Sequence, residues 1–193
     1  MYVELLEHSS MYPITKAAGV CRNSADPVAA LKHALAAGHR SLLEHWTAAF
    51  EIDGISRACS HQFVRTRIGW SPTQQSQRHL KIDDTDDWYV TPTSVFPSYH
   101  TYLQVAKKGY DQAIADGVPL EDARYLLPNG ATTKIILTTN AAALQLFFQN
   151  RCCTRAQWEI RDLAKEMLRL CQKAAPMLFG SYPNCDICKE PCK

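Results

Sequence analysis

No stretch of this sequence is apolar for the length of a bilayer span, and its start, MYVELLEHSS, lacks the basic-then-apolar pattern of a secretory leader. A membrane-embedded or exported protein is therefore not expected, and the chain reads as cytoplasmic. Charge of one sign is missing too: 21 Lys and Arg against 19 Asp and Glu leave a formal net charge of +2. That balance supplies no global field for nucleic acid or a lipid surface, so any anion site has to come from local clustering. There is no GxGxxG after a strand and no GxxxxGKS or GxxxxGKT, which excludes a Rossmann dinucleotide site and a P-loop. HExxH and GxSxG are absent as well.

What is present suits one ordinary globular domain, since 193 residues are enough for a single sizeable core and short for two. Eight cysteines without a leader favour reduced thiols or a metal over a disulfide framework. Cys21, Cys59 and Cys171 have apolar neighbours and are expected in the core. The tail places Cys185, Cys188 and Cys192 in a CxxC followed by a third cysteine. It supplies no fourth ligand, so no metal is expected there. The chain divides into residues 1–180 and this Cys-rich tail, 181–193.

Asp26-Pro27 followed by VAALKHALAAG predicts a capped helix stopped at Gly38, and Ser41 with Glu44 has capping-box spacing for the turn after it. WTAAFEID (46–53) and ATTKIILTT (131–139) predict strands. A helix is expected over 56–67, an exposed loop over the acidic run 83–98, a long helix over 98–117 and a short one over 119–128. Two helices close the domain, one capped by Asn140 and one opened by a Thr154/Gln157 capping box, with Ile160, Leu163, Ala164, Met167, Leu170, Cys171 and Ala174 facing the core.

The stretch RTRIGWSPTQQSQRH, residues 65–79, holds three arginines, three glutamines and two serines and no acid. Gly69, Ser71 and Pro72 predict that its Gln and Ser cluster lies on a loop after the helix. Arg65, Arg67 and Arg78, with Ser71, Gln74, Gln75 and Ser76, could hold phosphate oxygens through charge-assisted, bidentate bonds. Unpaired, the three cations repel one another, which favours an anionic ligand over a solvated helix end. From the residues alone the function reads as binding of a phosphorylated small molecule. A nucleotide- or RNA-binding module with Trp70 as a stacking platform is the non-catalytic alternative, against which the lack of a wider basic stripe argues.

Several collinear motifs carry a resemblance: GHRSLLEH at 38–45, Gln62-x-x-Arg65-x-Arg67 leading to Ser76-x-Arg78, EDARYLLP at 121–128, and Asn140 through Arg151 to RAQWEI at 155–160. Together they resemble the flavin-dependent thymidylate synthase family. The resemblance implies a single α/β (α+β) domain, a mixed sheet with flanking helices, assembled as a homotetramer with active sites between subunits. It implies conversion of dUMP to dTMP with methylenetetrahydrofolate as methylene donor and FAD, reduced by NADPH, as hydride source. No nucleic-acid or membrane partner is implied. Matched position by position, Gln62, Arg65, Gln74, Gln75, Ser76, Arg78, Arg124 and Arg151 would hold the nucleotide, Ser76 and Arg78 at its phosphate and Arg151 as the catalytic residue at the uracil. His39, Ser41, Glu44, Arg65, Arg67, Ile68 and Asn140 would contact FAD. Cys59 could be read as a nucleophile on pyrimidine C6, but it is expected to be a buried helix residue.

Departures from the family pattern are local. Thr66 stands where the motif has histidine, eight residues in place of seven precede Ser76, and Ala142 and Leu146 replace polar positions of the helix after Asn140. They leave open a related flavin-dependent C5-methylation or hydroxymethylation of another pyrimidine nucleotide such as UMP.

Overall fold

The computed structural model describes residues 1–82 and 87–180. Strand β1 (Tyr2–His8) is followed by helices α1 (Tyr12–Arg22) and α2 (Pro27–Ala36) and a 3-10 helix (Arg40–His45). Then come β2 (Thr47–Ser56), α3 (Arg57–Phe63) and β3 (Trp70–Gln74). The chain continues through α4 (Tyr99–Ala115), α5 (Leu120–Ala123), a 3-10 turn (Arg124–Leu126), β4 (Thr132–Asn140), α6 (Ala141–Arg151), α7 (Trp158–Ala174) and α8 (Pro176–Phe179).

The sheet order is β1-β2-β4-β3, and the expected α/β arrangement of a sheet with flanking helices is what forms. The expected mixed sheet is corrected in one respect: each hydrogen-bonded pairing is antiparallel. The reason lies in the crossover. α3 carries the chain back from the end of β2, so β3 starts again in the direction of β2, but β4 inserts between the two and runs against both. This is a split β-α-β unit.

β2 and β4 are the spine, with Phe50, Ile52, Ile55, Ile135 and Leu137 buried on alternating positions. The rings of Phe63, Trp70, Phe147, Phe148, Phe179 and Trp46 fill the space between this face and α3, α6 and α8, with centroid separations from 4.8 to 5.9 Å. α7 buries Ile160, Leu163, Ala164, Met167 and Cys171, as its spacing predicts, while Leu170 and Ala174 pack half-buried against the same core.

α2, β4, α4 and the Asn140 cap fall where expected; the Asn140 Oδ1 accepts the Ala143 N–H at 2.9 Å. Other expectations are corrected. The helix expected over 56–67 is seven residues long, because Ser56 serves as its cap, accepting the Cys59 N–H at 2.9 Å, and the helical bonds end before Arg65. The polar stretch after it is not a loop throughout. Residues Trp70–Gln74 form an edge strand on β4, where Pro72 is tolerated because one side of an edge strand needs no N–H.

Neither capping box forms. Gly38, at φ +78°, turns the chain so that the 3-10 helix starts at Arg40 and Ser41 lies inside it, while α7 starts at Trp158 with the Gln157 side chain accepting the Ile160 N–H at 3.2 Å. Cys21 is exposed at the end of α1, while Cys59 and Cys171 are buried as expected. The acidic run is not wholly solvated either: Trp88 is buried in a satellite cluster with Leu103 and Ala131, and residues 83–86 lie outside the described chain.

Candidate functional site

Five residues of β3 advance roughly 13 Å at about 3.3 Å per step, and this strand separates two groups of candidate residues. One group gathers where β3 begins. There Gly69 is held against the end of β4: its carbonyl accepts the Thr139 hydroxyl at 2.7 Å and the Asn140 N–H at 3.3 Å. The approach is close enough to require glycine. Gly69 sits at φ +66°, and a Cβ there would meet the Asn140 Nδ2 at 2.5 Å.

Asn140 also stands opposite Thr47 in the β2–β4 register, and the Trp46 carbonyl accepts the Ala141 N–H at 2.9 Å. The 3-10 helix carrying Ser41 and Glu44, both exposed, therefore abuts the same end of the sheet, with His39 exposed just before it. Arg65 and Arg67 are exposed beside Ile68, whose side chain is 89% exposed. Among the described residues neither arginine has an acidic partner.

Two free guanidinium groups, an exposed apolar side chain and an amide Nδ2 left over from a cap suit a cofactor that is anionic at one part and flat and apolar at another. FAD has that chemistry. The donor set present here fits it.

The other group gathers where β3 ends. Gln74 turns inward, its Nε2 donating to the Ser60 Oγ at 3.0 Å and the Thr133 Oγ1 at 3.1 Å, which ties β3 to α3 and β4. The Gln75 N–H continues the ladder to the Lys134 carbonyl, and the Ser76 Oγ accepts the Arg78 N–H at 3.2 Å. Arg78 finds an acid that its own stretch does not contain: its Nε and Nη2 both bind the Glu121 Oε2, at 2.9 and 2.7 Å. Arg124 donates from Nε to the Glu121 carbonyl at 3.0 Å. The EDARYLLP segment thus joins the SQR segment (76–78) through Glu121, a residue the sequence reading passed over although it sits in the quoted motif.

A cleft of about 330 Å³ opens beside this junction, lined by Arg57, His61, Gln77 and Arg124 among others. Burial, aided by the positive charge of Arg124, pushes the Arg57 guanidinium below its ordinary value. Gln62 is half-buried on α3, one residue beyond His61.

Arg151 stands apart. It closes α6, half-buried, and among the described residues its side chain has no hydrogen-bond partner; its charge is felt at the Cys59 thiol. Burial pushes that thiol far above its ordinary value, with Glu159 adding to the shift, so Cys59 stays protonated and is no nucleophile. Glu159, 4% exposed, accepts the Ser56 N–H and hydroxyl, each at 2.6 Å, and so pins the start of α3 to α7.

Among the described residues no group of three or more His, Cys, Asp and Glu side chains is arranged to hold a metal ion, and no helix is long and apolar enough to cross a membrane. Cys185, Cys188 and Cys192 lie outside the described residues.

Comparison with known proteins bears on this arrangement. The profile of the family described as thymidylate synthase complementing protein matches residues 4–177. The flavin-dependent thymidylate synthase of Geobacter sulfurreducens is 46% identical over 170 residues, covering 84% of this chain and 73% of that protein. That of Sulfurisphaera tokodaii is 44% identical over 164 residues, covering 81% of this chain and 63% of the relative. Among solved structures, the flavin-dependent thymidylate synthase of Helicobacter pylori complexed with FAD and dUMP superposes with a TM-score of 0.79 at 22% identity, over 93% of this chain and 98% of that one, and so shares the fold. With a family profile spanning nearly all of the described residues and relatives above 40% identity, the chain belongs to the thymidylate synthase complementing protein family, that of the flavin-dependent thymidylate synthases.

Proposed function

We propose that this protein is a flavin-dependent thymidylate synthase that reductively methylates dUMP to dTMP, using methylenetetrahydrofolate and NADPH through FAD. The observation that carries the reading is the pairing, along one strand, of a partner-free cationic end fit for a flavin with a second end rich in phosphate-type donors, in a chain of this family.

At the first end, Arg65, Arg67, Ile68 and Asn140, with His39, Ser41 and Glu44 of the adjoining 3-10 helix, would hold FAD. Reduced by NADPH, FAD supplies the hydride that turns a transferred methylene into a methyl group. Ile68 offers an apolar face that keeps water from a flat ring, and the two guanidinium groups suit the pyrophosphate.

At the second end, Ser76 and Arg78 would take the nucleotide phosphate, with Gln62, Gln74, Gln75 and Arg124 completing the grip. Glu121 fixes the direction of the Arg78 fork, leaving its Nη1 edge to a ligand. Gln74 keeps an amide Oε1 after its Nε2 is used in tying β3 down. Arg151 would face the uracil. C5 of a pyrimidine is a weak nucleophile, and a fixed cation beside the ring carbonyls stabilises the negative charge that builds there as C5 attacks. No protein nucleophile is required, which agrees with the buried, protonated Cys59.

The assembly is a homotetramer in the cytoplasm in this reading, with its sites completed between subunits. Tyr102, Val105 and Tyr125, each more than 60% exposed, are apolar surface that such an assembly could cover. The test is spectroscopic. The purified protein is expected to bind FAD, to bleach on anaerobic addition of NADPH, and to turn over dUMP in preference to UMP. Failure to bind FAD with dUMP present would overturn the reading, and preference for UMP would transfer it to another pyrimidine nucleotide.

A further inference from the structure

Arg78, the arginine matched to the nucleotide phosphate, is already charge-paired with Glu121. The cleft next to it holds cations that are not. Arg57, at the start of α3, has no acidic partner among the described residues, and no acidic side chain lines the cleft. His61 follows Arg57 by four residues on the same face of the helix, and Arg124 lines the same cleft with its Nε fixed on the Glu121 carbonyl. Gln77 lines the cleft as well. Two guanidinium groups brought together in a half-buried cleft repel one another, at a cost. A ligand carrying two negative charges and several acceptor oxygens relieves it.

We propose that Arg57 is a further substrate-binding residue, holding a phosphate monoester jointly with Arg124 in the cleft beside Arg78. The proposal rests on the nucleotide reading above and adds to it a residue outside the RTR and SQR segments. Its place is set by structure: Glu159 clamps the Ser56 backbone immediately before Arg57, and the Arg57 N–H is bonded to the Ala131 carbonyl at 2.9 Å, so the side chain leaves a fixed backbone. A cleft of about 330 Å³ is large enough for a phosphate and part of its sugar, and too small for a flavin dinucleotide.

The test compares dUMP with deoxyuridine, which lacks the phosphate, on the FAD-loaded protein. Arg57→Gln is expected to weaken dUMP binding roughly 10- to 100-fold, as loss of a charge-assisted bond does, while leaving deoxyuridine and FAD binding unchanged. Inorganic phosphate should compete with dUMP on the unsubstituted protein and compete less on the variant. Arg57→Lys keeps the charge and is expected to lose less than Arg57→Gln; it also serves if the glutamine variant does not fold. Wild-type dUMP affinity in folded Arg57→Gln would overturn the proposal, as would equal losses for dUMP and deoxyuridine, or a change confined to NADPH or methylenetetrahydrofolate. Absence of dUMP binding by the unsubstituted protein would instead overturn the function on which it rests.

Discussion

The two ends of β3 hold their cations in opposite ways. Where the strand begins, Arg65 and Arg67 project into solvent without an acidic partner among the described residues, and the local order comes from the backbone, through the Gly69–Asn140 contact. Where it ends, Arg78 and Arg124 are both oriented by Glu121, one through its carboxylate and one through its carbonyl. One end is pre-organised within a single chain; the other is left for something else to complete. Preorganised donors suit a small ligand that arrives and leaves in each turnover, because little side-chain entropy is lost on binding. An open end suits a large cofactor that makes many contacts of its own.

Two substitutions separate the ends, Arg78→Ala and Gly69→Ala, and two others bracket them in size of expected effect. Arg151→Ala, at neither end, should lower kcat by about 10²- to 10³-fold, the size seen when a fixed donor to developing charge is removed, with a smaller change in dUMP KM. Arg78→Ala should weaken dUMP binding by roughly 1.5–3 kcal/mol, the cost of a charge-assisted hydrogen bond, and leave FAD occupancy intact; titration calorimetry and the visible spectrum read the two separately. Gly69→Ala should do the reverse. It forces a strained φ of +66° and a 2.5 Å contact on Asn140, costing about 1–3 kcal/mol, so FAD occupancy should fall with dUMP affinity less affected.

The smallest effect concerns pH and lies away from both ends. Burial pushes the Asp111 carboxyl up, but Lys107, at 2.7 Å, and Lys81, at 3.5 Å, outweigh it and hold the group below its ordinary value of 3.8. A depressed folded-state value means that the contribution is present above the unfolded value and lost as pH falls through the folded one. Asp111→Asn should therefore be less stable than the unsubstituted protein near neutrality, with the gap closing below pH 3.8; thermal melts across that range check it.

What was legible in the sequence was what local chemistry decides. Asp26-Pro27 caps α2 whatever surrounds it, Asn140 caps α6, and the apolar spacing of α7 needs no tertiary information. β1 and α1 escaped notice because neither carries a strong period: β1 is an edge strand with much of both faces exposed, and α1 buries only Ile14, Ala18 and Gly19. β3 read as a loop because Pro72 and its polar neighbours are turn residues, and only pairing with β4 makes them a strand. The capping-box readings failed since Ser41 and Thr154 have the right spacing at the wrong distance from the helix start.

At the site, the motif residues could be named from the sequence, but not their partners. Glu121 is 43 positions from Arg78, and Arg57 becomes a neighbour of Arg124 only after α3 docks on the turn before β4. The signal that could have singled out Arg57 was its four-residue spacing from His61, next to Gln62, on one short helix.

The most direct test of the account is a single turnover. FAD-loaded protein is reduced with NADPH under anaerobic conditions, freed of excess reductant, and mixed with methylenetetrahydrofolate and dUMP while flavin absorbance and dTMP are followed together. The account predicts one dTMP formed for each flavin reoxidised, and neither event when dUMP is left out. Reoxidation without dTMP, or a protein that takes up no FAD, would contradict it.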